Sequence, residues 1–198
     1  MSKKRIASFD VDQTLLDHKT YQIPESALKA VNELRKDFYI VLSTGRDMDN
    51  YYSKQYRDVI QPDAVIHLNG TKITVGGELI YEHEMDRTLL KEILDYADKA
   101  GYALGVTIGN EDYYLHPEVV EETDRLRWGR SERRFKDPRS LLDQGVRTLA
   151  YIGKEDGAMD MEKRFPQLKF LMFAGRLGAD VVEREASKAK GLLRLCQY

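Results

Sequence analysis

The sequence predicts an α/β protein with a doubly wound, mostly parallel core, into which a separate α+β unit is inserted. Three observations lead to this prediction. Strands and helices alternate over the first third of the chain, hairpin signals replace that alternation after residue 70, and a strand–helix pattern returns near the C-terminus. The expected boundaries are residues 1–83 and 177–198 for the core and residues 84–176 for the inserted unit.

The predicted core begins with a short apolar strand over residues 5–10. Pro24-Glu25-Ser26 then opens a helix whose apolar residues recur at helical spacing. Residues 38–42 and 63–68 indicate two further strands, with a helix expected over residues 47–57 between them. Because parallel strands joined by helical crossovers end at the same edge of a sheet, we expect a Rossmann-like core that binds its ligand at that edge.

Beyond residue 70 the signals change to hairpins and longer helices. Gly76-Gly77 separates two strand-like runs, and a second hairpin is expected around Gly109-Asn110. The remaining expected elements are helices over residues 86–100 and 117–128, strands over residues 147–152 and 168–173, and a helix between those two strands. A strand over residues 179–182 and a helix from residue 187 are assigned to the returning core.

Composition and charge narrow the classes of function. With 31 basic and 33 acidic residues among 198, the formal net charge is −2, so neither a nucleic acid nor an anionic membrane is expected as the main partner. The one cysteine, Cys196, excludes an internal disulfide and fits a reducing compartment. Because no apolar run is long enough for a signal-peptide core or a membrane span, we expect a cytoplasmic protein.

Two carboxylates, Asp10 and Asp12, follow the first strand, with Thr14 close behind. Side chains at positions i and i+2 of an extended chain share one face, about 6–7 Å apart. Paired acids repel each other unless a cation or a shared proton relieves the repulsion, and Mg²⁺ with oxygen ligands is the simplest partner. A solvated acidic turn is the alternative interpretation of this segment taken alone.

Further polar residues are expected at the same edge of the sheet. Thr44, Gly45 and Arg46 follow the second predicted strand and combine a hydroxyl, a flexible main-chain amide and a guanidinium, which suit phosphate oxygens. Lys188, near the start of the last helix, can place a positive charge beside an anionic nucleophile. Two acids, this turn and a late lysine together predict phosphoryl transfer.

Other polar residues are interpreted as structural. The charged stretch over residues 121–139 is interpreted as a solvated helix and loop, in preference to a binding site for an anionic substrate. His67 and His116 have no partners at metal-ligand spacing along the sequence, and neither is interpreted as a ligand.

The motifs resemble those of the haloacid dehalogenase (HAD) superfamily, in its Cof-like phosphatase branch. The segment 10–14 resembles the first motif, Asp-x-Asp-x-Thr, and the segment 43–46, Ser-Thr-Gly-Arg, resembles the second. Asn69-Gly70 matches a turn common in this branch. Lys188 resembles the lysine of the third motif, with Lys190 as a weaker candidate. The resemblance covers essentially the whole chain and implies that the inserted unit is a cap domain.

The resemblance also implies a Mg²⁺-dependent phosphatase that acts on small phosphorylated metabolites. Asp10 would be the nucleophile that becomes an aspartyl phosphate, and Asp12 the general acid and base, with both acids in the metal site. The phosphoryl group would be bound by Thr44, Gly45 and Lys188. The substrate would also contact Arg46 and Asn69.

The sequence departs from the family pattern at two places. Gln13 stands where the family often has glycine, so a stiffer turn is expected there. No acidic pair like the family's fourth motif, Gly-Asp-x-x-x-Asp, follows Lys188 in this sequence. We therefore expect a C-terminally incomplete core and a truncated product with weak or absent phosphatase activity. The alternative is that a partner chain supplies the missing edge, as a homodimer or a domain swap, because the open edge of a parallel sheet invites pairing.

Alternatives from other classes remain at this point. The first is a non-catalytic module of the same fold that binds a phosphate ligand or a protein. A glycosyltransferase also binds a cation through Asp-x-Asp, but its motif normally lies well inside the chain, whereas nine residues precede Asp10 here. A response-regulator receiver also combines acids, threonine and lysine, but it carries its phosphorylated aspartate on another strand and has no inserted unit.

Overall fold

The computed structural model describes residues 5–198, which divide into two compact units. The first unit runs to His83 and resumes at Ala186–Tyr198, and the second comprises Glu84–Glu185. Each unit has its own sheet and its own hydrophobic core. Residues 1–4, which the predicted core domain includes, lie outside the described residues.

The described residues contain eleven strands, six α-helices and two short 3₁₀ helices. In chain order they are β1 (Arg5–Phe9), α1 (Glu25–Leu34), β2 (Phe38–Ser43), α2 (Lys54–Ile60), β3 (Ala64–His67), β4 (Lys72–Val75), β5 (Glu78–Glu82), α3 (Arg87–Ala100), β6 (Ala103–Ile108), β7 (Glu111–Tyr114), α4 (Pro117–Trp128), β8 (Phe135–Lys136), β9 (Leu149–Ile152), α5 (Glu155–Arg164), β10 (Leu168–Met172), β11 (Ala179–Glu183) and α6 (Lys188–Gln197).

The first unit is a five-stranded sheet in the order β1-β2-β3-β4-β5. The pairs β1–β2 and β2–β3 are parallel, whereas β4 and β5 extend the sheet as antiparallel strands. Alternate residues of a strand face opposite sides. Ile40 and Leu42 therefore pack with α1 and α2, while Val41 packs with Ile66 and α6 on the other face. Helices on both faces make this the doubly wound, Rossmann-like α/β core that the sequence predicts, but the sheet is mixed and not mostly parallel, with two parallel and two antiparallel pairs.

The second unit is a six-stranded sheet in the order β10-β11-β9-β6-β7-β8. All neighbouring pairs are antiparallel except β7–β8. Helices α3 and α5 supply Ile93 and Met161 to the larger of its two apolar clusters, and α4 supplies Val120 to the smaller. The predicted hairpin around Gly109-Asn110 and the predicted helices of this unit are confirmed to within a few residues.

Two elements differ from the prediction. The strand predicted to return to the core is β11, and it pairs with β10 and β9 of the second sheet, so that assignment is wrong. Its apolar residues, among them Val181, fit either sheet, and only packing decides between them. Helix α2 begins at Lys54 instead of residue 47, because successive turns precede it and the side chain of Asn50 accepts the N–H groups of Tyr52 and Ser53.

No helix among residues 5–198 is both long and apolar enough to cross a lipid bilayer.

Candidate active site

The carboxyl ends of the parallel strands carry the polar residues that the sequence predicts. Asp10 directly follows β1, and Thr44 directly follows β2. Because Phe9 lies opposite Leu42 in the sheet register, these two strand ends are neighbours. Thr44 is fully buried, and its N–H donates to the carbonyl of Ile66 over 2.9 Å, which ties the end of β2 to β3.

Asp10 forms an ion pair with Lys188. The Lys188 Nζ lies 2.5 Å from Asp10 Oδ2, and the main-chain N–H of Val11 donates to Asp10 Oδ1 over 2.7 Å. The side chains of Lys188 and Asp10 keep 37% and 38% of their surface exposed. The carboxylate is therefore held in one orientation but remains open to a ligand.

Two glycines allow the start of α6 to lie close to the strand ends. Gly70 has a φ of +98°, and a Cβ atom there would lie 2.2 Å from the carbonyl oxygen of Ser187. A Cβ atom at Gly191 would lie 2.5 Å from Cγ2 of Ile66. Since any larger residue would push the helix away, these contacts explain how Lys188, the first residue of α6, reaches Asp10.

Asp12 is held by Arg46 through two hydrogen bonds. Arg46 Nε donates to Asp12 Oδ2 and Nη2 to Oδ1, each over 2.7 Å, and His18 Nε2 lies 3.2 Å from Oδ1. Burial raises the pKa of the Asp12 carboxyl, but the hydrogen bond and charge of Arg46, followed by those of His18, lower it more. The pKa of Asp12 therefore lies below its usual value, and the carboxylate form is favoured.

The segment after Asp10 is a turn and not an extended strand. β1 ends at Phe9, and the N–H groups of Leu15 and Leu16 both donate to the carbonyl of Val11. Gln13 has a φ of +60°, in the left-handed region that glycine adopts more easily. The turn therefore begins between the two acids, and each acid pairs with a cation of its own, Asp10 with Lys188 and Asp12 with Arg46.

The other predicted contact residues lie beside these ion pairs. Gly45 is half-buried in a bend between Thr44 and Arg46. Asn69 is buried in the turn after β3, and its N–H donates to the carbonyl of Thr44 over 3.0 Å. A main-chain hydrogen bond therefore joins the predicted residues after β2 to the predicted residue after β3.

A second group of potential metal ligands consists of two acids that follow Arg46 in the chain and a histidine at the end of β3. Ligand atoms of Asp47, Asp49 and His67 all lie within 4.8 Å of one another, which the spacing along the sequence did not suggest. Lys72 Nζ lies 3.2 Å from Asp47 Oδ1 and 2.6 Å from Asp49 Oδ2, and Arg57 also bonds to Asp49. Two basic side chains therefore neutralise these acids, and we interpret the group as an ion-pair network.

Sequence reasoning did not identify His18, Asp47 or Lys72. His18 contacts Asp12 across a turn, and Lys72 meets Asp47 from a different strand. No local pattern marks either contact, because both depend on how the strands and turns pack.

The charged stretch of the second unit contains one buried network. Arg133 Nε lies 2.8 Å from Asp124 Oδ2, and its Nη1 lies 3.1 Å from Asp112 Oδ1. The expectation of a solvated stretch is therefore wrong for Arg133. It fits Arg130, whose partner Glu132 is also exposed.

Comparisons with known proteins agree with this fold. A family model for haloacid dehalogenase-like hydrolases matches residues 7–198. The chain is similar in structure to BT1666 from Bacteroides thetaiotaomicron, a phosphatase of the HAD superfamily, with 22% identity and a TM-score of 0.83 over 98% of this chain and 72% of that one. A comparison with curated proteins gives no significant match.

Two further solved structures are also similar. The HAD subclass IIB sugar phosphatase BT4131 is 21% identical, with a TM-score of 0.78 over 98% of this chain and 75% of that one. The protein TM0651 from Thermotoga maritima is 18% identical, with a TM-score of 0.76 and the same two coverages. At these identities the likeness shows a shared fold, whereas the family model matches nearly the whole sequence. The chain therefore belongs to the haloacid dehalogenase-like hydrolases of the Cof-like type.

Proposed function

We propose that this protein is a cytoplasmic, Mg²⁺-dependent phosphatase that hydrolyses small phosphorylated metabolites through an aspartyl phosphate on Asp10, with slow turnover. The observation that carries the proposal is the pairing of Asp10 with Lys188 and of Asp12 with Arg46, close to the carboxyl ends of the parallel strands β1 and β2. Membership of the hydrolase family supports the reaction class.

Asp10 acts as the nucleophile. Its carboxylate attacks phosphorus, the bond between phosphorus and the leaving oxygen breaks, and an aspartyl phosphate forms. Lys188 holds the carboxylate of Asp10 and offsets the negative charge of the incoming phosphate. Thr44 and Gly45, which follow β2, bind the phosphoryl oxygens.

Asp12 acts as the general acid and then as the general base. It gives its proton to the leaving oxygen, and later takes a proton from the water that attacks the aspartyl phosphate. Arg46 favours the ionised form of Asp12, which suits the second step. For the first step, we infer that the substrate binds the guanidinium of Arg46 and draws it away from Asp12, so that Asp12 can hold a proton. Asn69 also contacts the substrate in this proposal.

The donors near Asp10 fit a weak Mg²⁺ site. They are hard oxygens: the Asp10 carboxylate and the main-chain carbonyl of Asp12, whose carboxylate oxygens accept hydrogen bonds from Arg46. Mg²⁺ keeps several waters and takes one or two carboxylates together with phosphate oxygens, and it would offset the repulsion between Asp10 and phosphate. Among residues 5–198, the one group of three or more acidic, histidine or cysteine side chains at metal-binding distance is Asp47, Asp49 and His67, and it does not include Asp10 or Asp12.

We further propose that the second unit, Glu84–Glu185, acts as a cap that selects the substrate, as the resemblance to the family implies. We also propose that the protein forms a homodimer. Among the described strands β1 pairs only with β2, so its other edge is open to a strand from a second copy.

The test is hydrolysis of p-nitrophenyl phosphate with Mg²⁺, with acid-quenched protein analysed by mass spectrometry for a covalent phosphoryl group. Asp10→Asn should lower turnover at least about 1,000-fold and remove the phosphoryl adduct, because an amide is a far weaker nucleophile. The matched control is Asp17→Asn, an acid on the same turn that bonds Lys19 and Thr20.

Activity that survives in Asp10→Asn would contradict the proposed mechanism. Binding of inorganic phosphate to the unaltered chain without any hydrolysis would instead favour the non-catalytic phosphate-binding module. That alternative is supported by the ion pairs of Asp10 with Lys188 and of Asp12 with Arg46, which offset the negative charge of both acids.

A further inference from the structure

We propose that His67 is a positioning residue of the candidate active site. By accepting the main-chain N–H of Met48, its Nδ1 fixes the segment after Thr44 and so holds Arg46 on Asp12. The catalytic meaning of this role rests on the proposed function, whereas the structural link can be tested without turnover.

The ring of His67 bonds at both of its nitrogens while completely buried. Nδ1 accepts the N–H of Met48 over 3.1 Å, and Nε2 lies 3.0 Å from Oγ1 of Thr74 on β4. Since Nδ1 accepts, the ring proton is assigned to Nε2, which donates to the Thr74 hydroxyl. The ring therefore joins β4 to the segment that follows β2.

The nearby carboxylate of Asp47 is held by another residue. Asp47 Oδ1 lies 3.3 Å from His67 Nδ1, but Lys72 Nζ lies 3.2 Å from the same oxygen. A proton on Nδ1 would bond Asp47 only by breaking the bond to Met48, because that nitrogen has a single site in the ring plane. The neutral ring with its proton on Nε2 satisfies Met48 and Thr74 together.

The Met48 bond closes a series of contacts around Arg46. The main-chain N–H of Arg46 donates to Thr44 Oγ1 over 3.1 Å, and its carbonyl accepts the N–H of Leu68 over 3.2 Å. His67 then holds Met48, two residues further on. Arg46 is thus restrained on both sides, which directs its guanidinium to Asp12.

The choice of histidine allows a matched pair of variants. In His67→Asn the amide oxygen lies near the position of Nδ1 and can still accept from Met48, whereas in His67→Gln the amide group lies near the position of Nε2 and serves Thr74 only. Both variants remove part of the ring, and asparagine, which is one methylene shorter than glutamine, leaves the larger space, so an effect confined to His67→Gln cannot come from lost volume. They therefore separate the bond to Met48 from the packing of the imidazole.

The readout is the exchange rate of the Arg46 Nε proton with water, measured by ¹⁵N NMR and assigned with Arg46→Lys. His67→Gln should speed this exchange about tenfold, since the hydrogen bond to Asp12 opens more often, and His67→Asn should leave it unchanged. Exchange as slow as in the unaltered protein in both variants would overturn the proposal. Equally faster exchange in both would also overturn it, because ring volume would then be responsible.

A measurement on the unaltered protein keeps the proposal testable if neither variant folds. The Met48 amide should exchange as slowly as the Thr44 amide, which is bonded to Ile66. A Met48 amide that exchanges like an unprotected peptide would overturn the proposal. Neither exchange rate depends on hydrolysis, so a chain without phosphatase activity would refute the proposed function and leave this inference standing.

Discussion

The ion pairs between aspartate and a basic side chain are partly exposed in the first unit and buried in the second. In the first unit, Asp10–Lys188 and Asp12–Arg46 lie at strand ends, with side chains that are between 28% and 38% exposed. In the second unit, Arg133 is 12% exposed, and the acids on either side of it are 0% and 6% exposed.

The difference lies in what else holds the carboxylates. In the second unit, Asp112 also accepts the Thr107 hydroxyl and the main-chain N–H of Arg134, and Ser131 donates to Asp124. Such a network has little access for a ligand and connects a loop to α4 and β7. The pairs of the first unit are open to solvent, as the proposed phosphate site requires. Exposure, more than the pairing itself, separates a candidate site from a structural network.

The largest effect on stability is expected when the buried network is broken. Arg133→Met should lower the free energy of unfolding by about 3–5 kcal/mol, because it leaves two buried carboxylates without their cation. The measurement is urea unfolding followed by the fluorescence of Trp128, the one tryptophan of the chain, which ends α4 in the same unit. Arg130→Met removes an exposed arginine and should change stability by less than about 0.5 kcal/mol. Equal effects of the two substitutions would contradict the distinction between the networks.

An intermediate effect, on binding and not on stability, is expected for the open pair. Lys188→Met should weaken the binding of inorganic phosphate in the presence of Mg²⁺ about 10- to 100-fold, since a charged hydrogen bond contributes ~1.5–3 kcal/mol. Because the pair is exposed, stability should change by no more than about 1 kcal/mol. Isothermal titration calorimetry measures the affinity, and Lys190→Met is the control on the same helix. A larger loss of affinity in the control would shift the third-motif lysine to Lys190.

The smallest effect is expected at the turn between the two acids. Gln13→Gly should raise the stability of the first unit by up to about 1 kcal/mol, because glycine adopts a φ of +60° without the strain of a side chain. Thermal unfolding followed by circular dichroism measures the change. Gln55→Gly, on the exposed side of α2, should instead lower stability by about 1 kcal/mol. If both substitutions destabilise equally, the turn at Gln13 carries no strain.

Much of the fold follows from local patterns in the sequence. Apolar runs of strand length, the hairpin at Gly76-Gly77 and the helical spacing in α3 predicted elements that the structure contains. The start of α2 was misjudged because the side chain of Asn50 satisfies the main chain in turns that resemble a helix start. The sequence also predicted that Asp10 and Thr44 follow strands and that Lys188 lies near the start of the last helix, and the structure contains these placements, whereas the roles of these residues stay a prediction.

The sequence by itself determined the elements, the α/β class, the family resemblance and the set of polar residues at strand ends. These depend on backbone propensity and on the period of apolar residues, which neighbouring positions encode. Only the tertiary structure decided that β11 joins the second sheet, that Lys188 meets Asp10 across 178 positions, and that Arg46 holds Asp12 across 34. The period of the apolar residues indicates which face of an element is buried, but not which other element it packs against. Ion pairs between distant residues form only where packing brings their elements together.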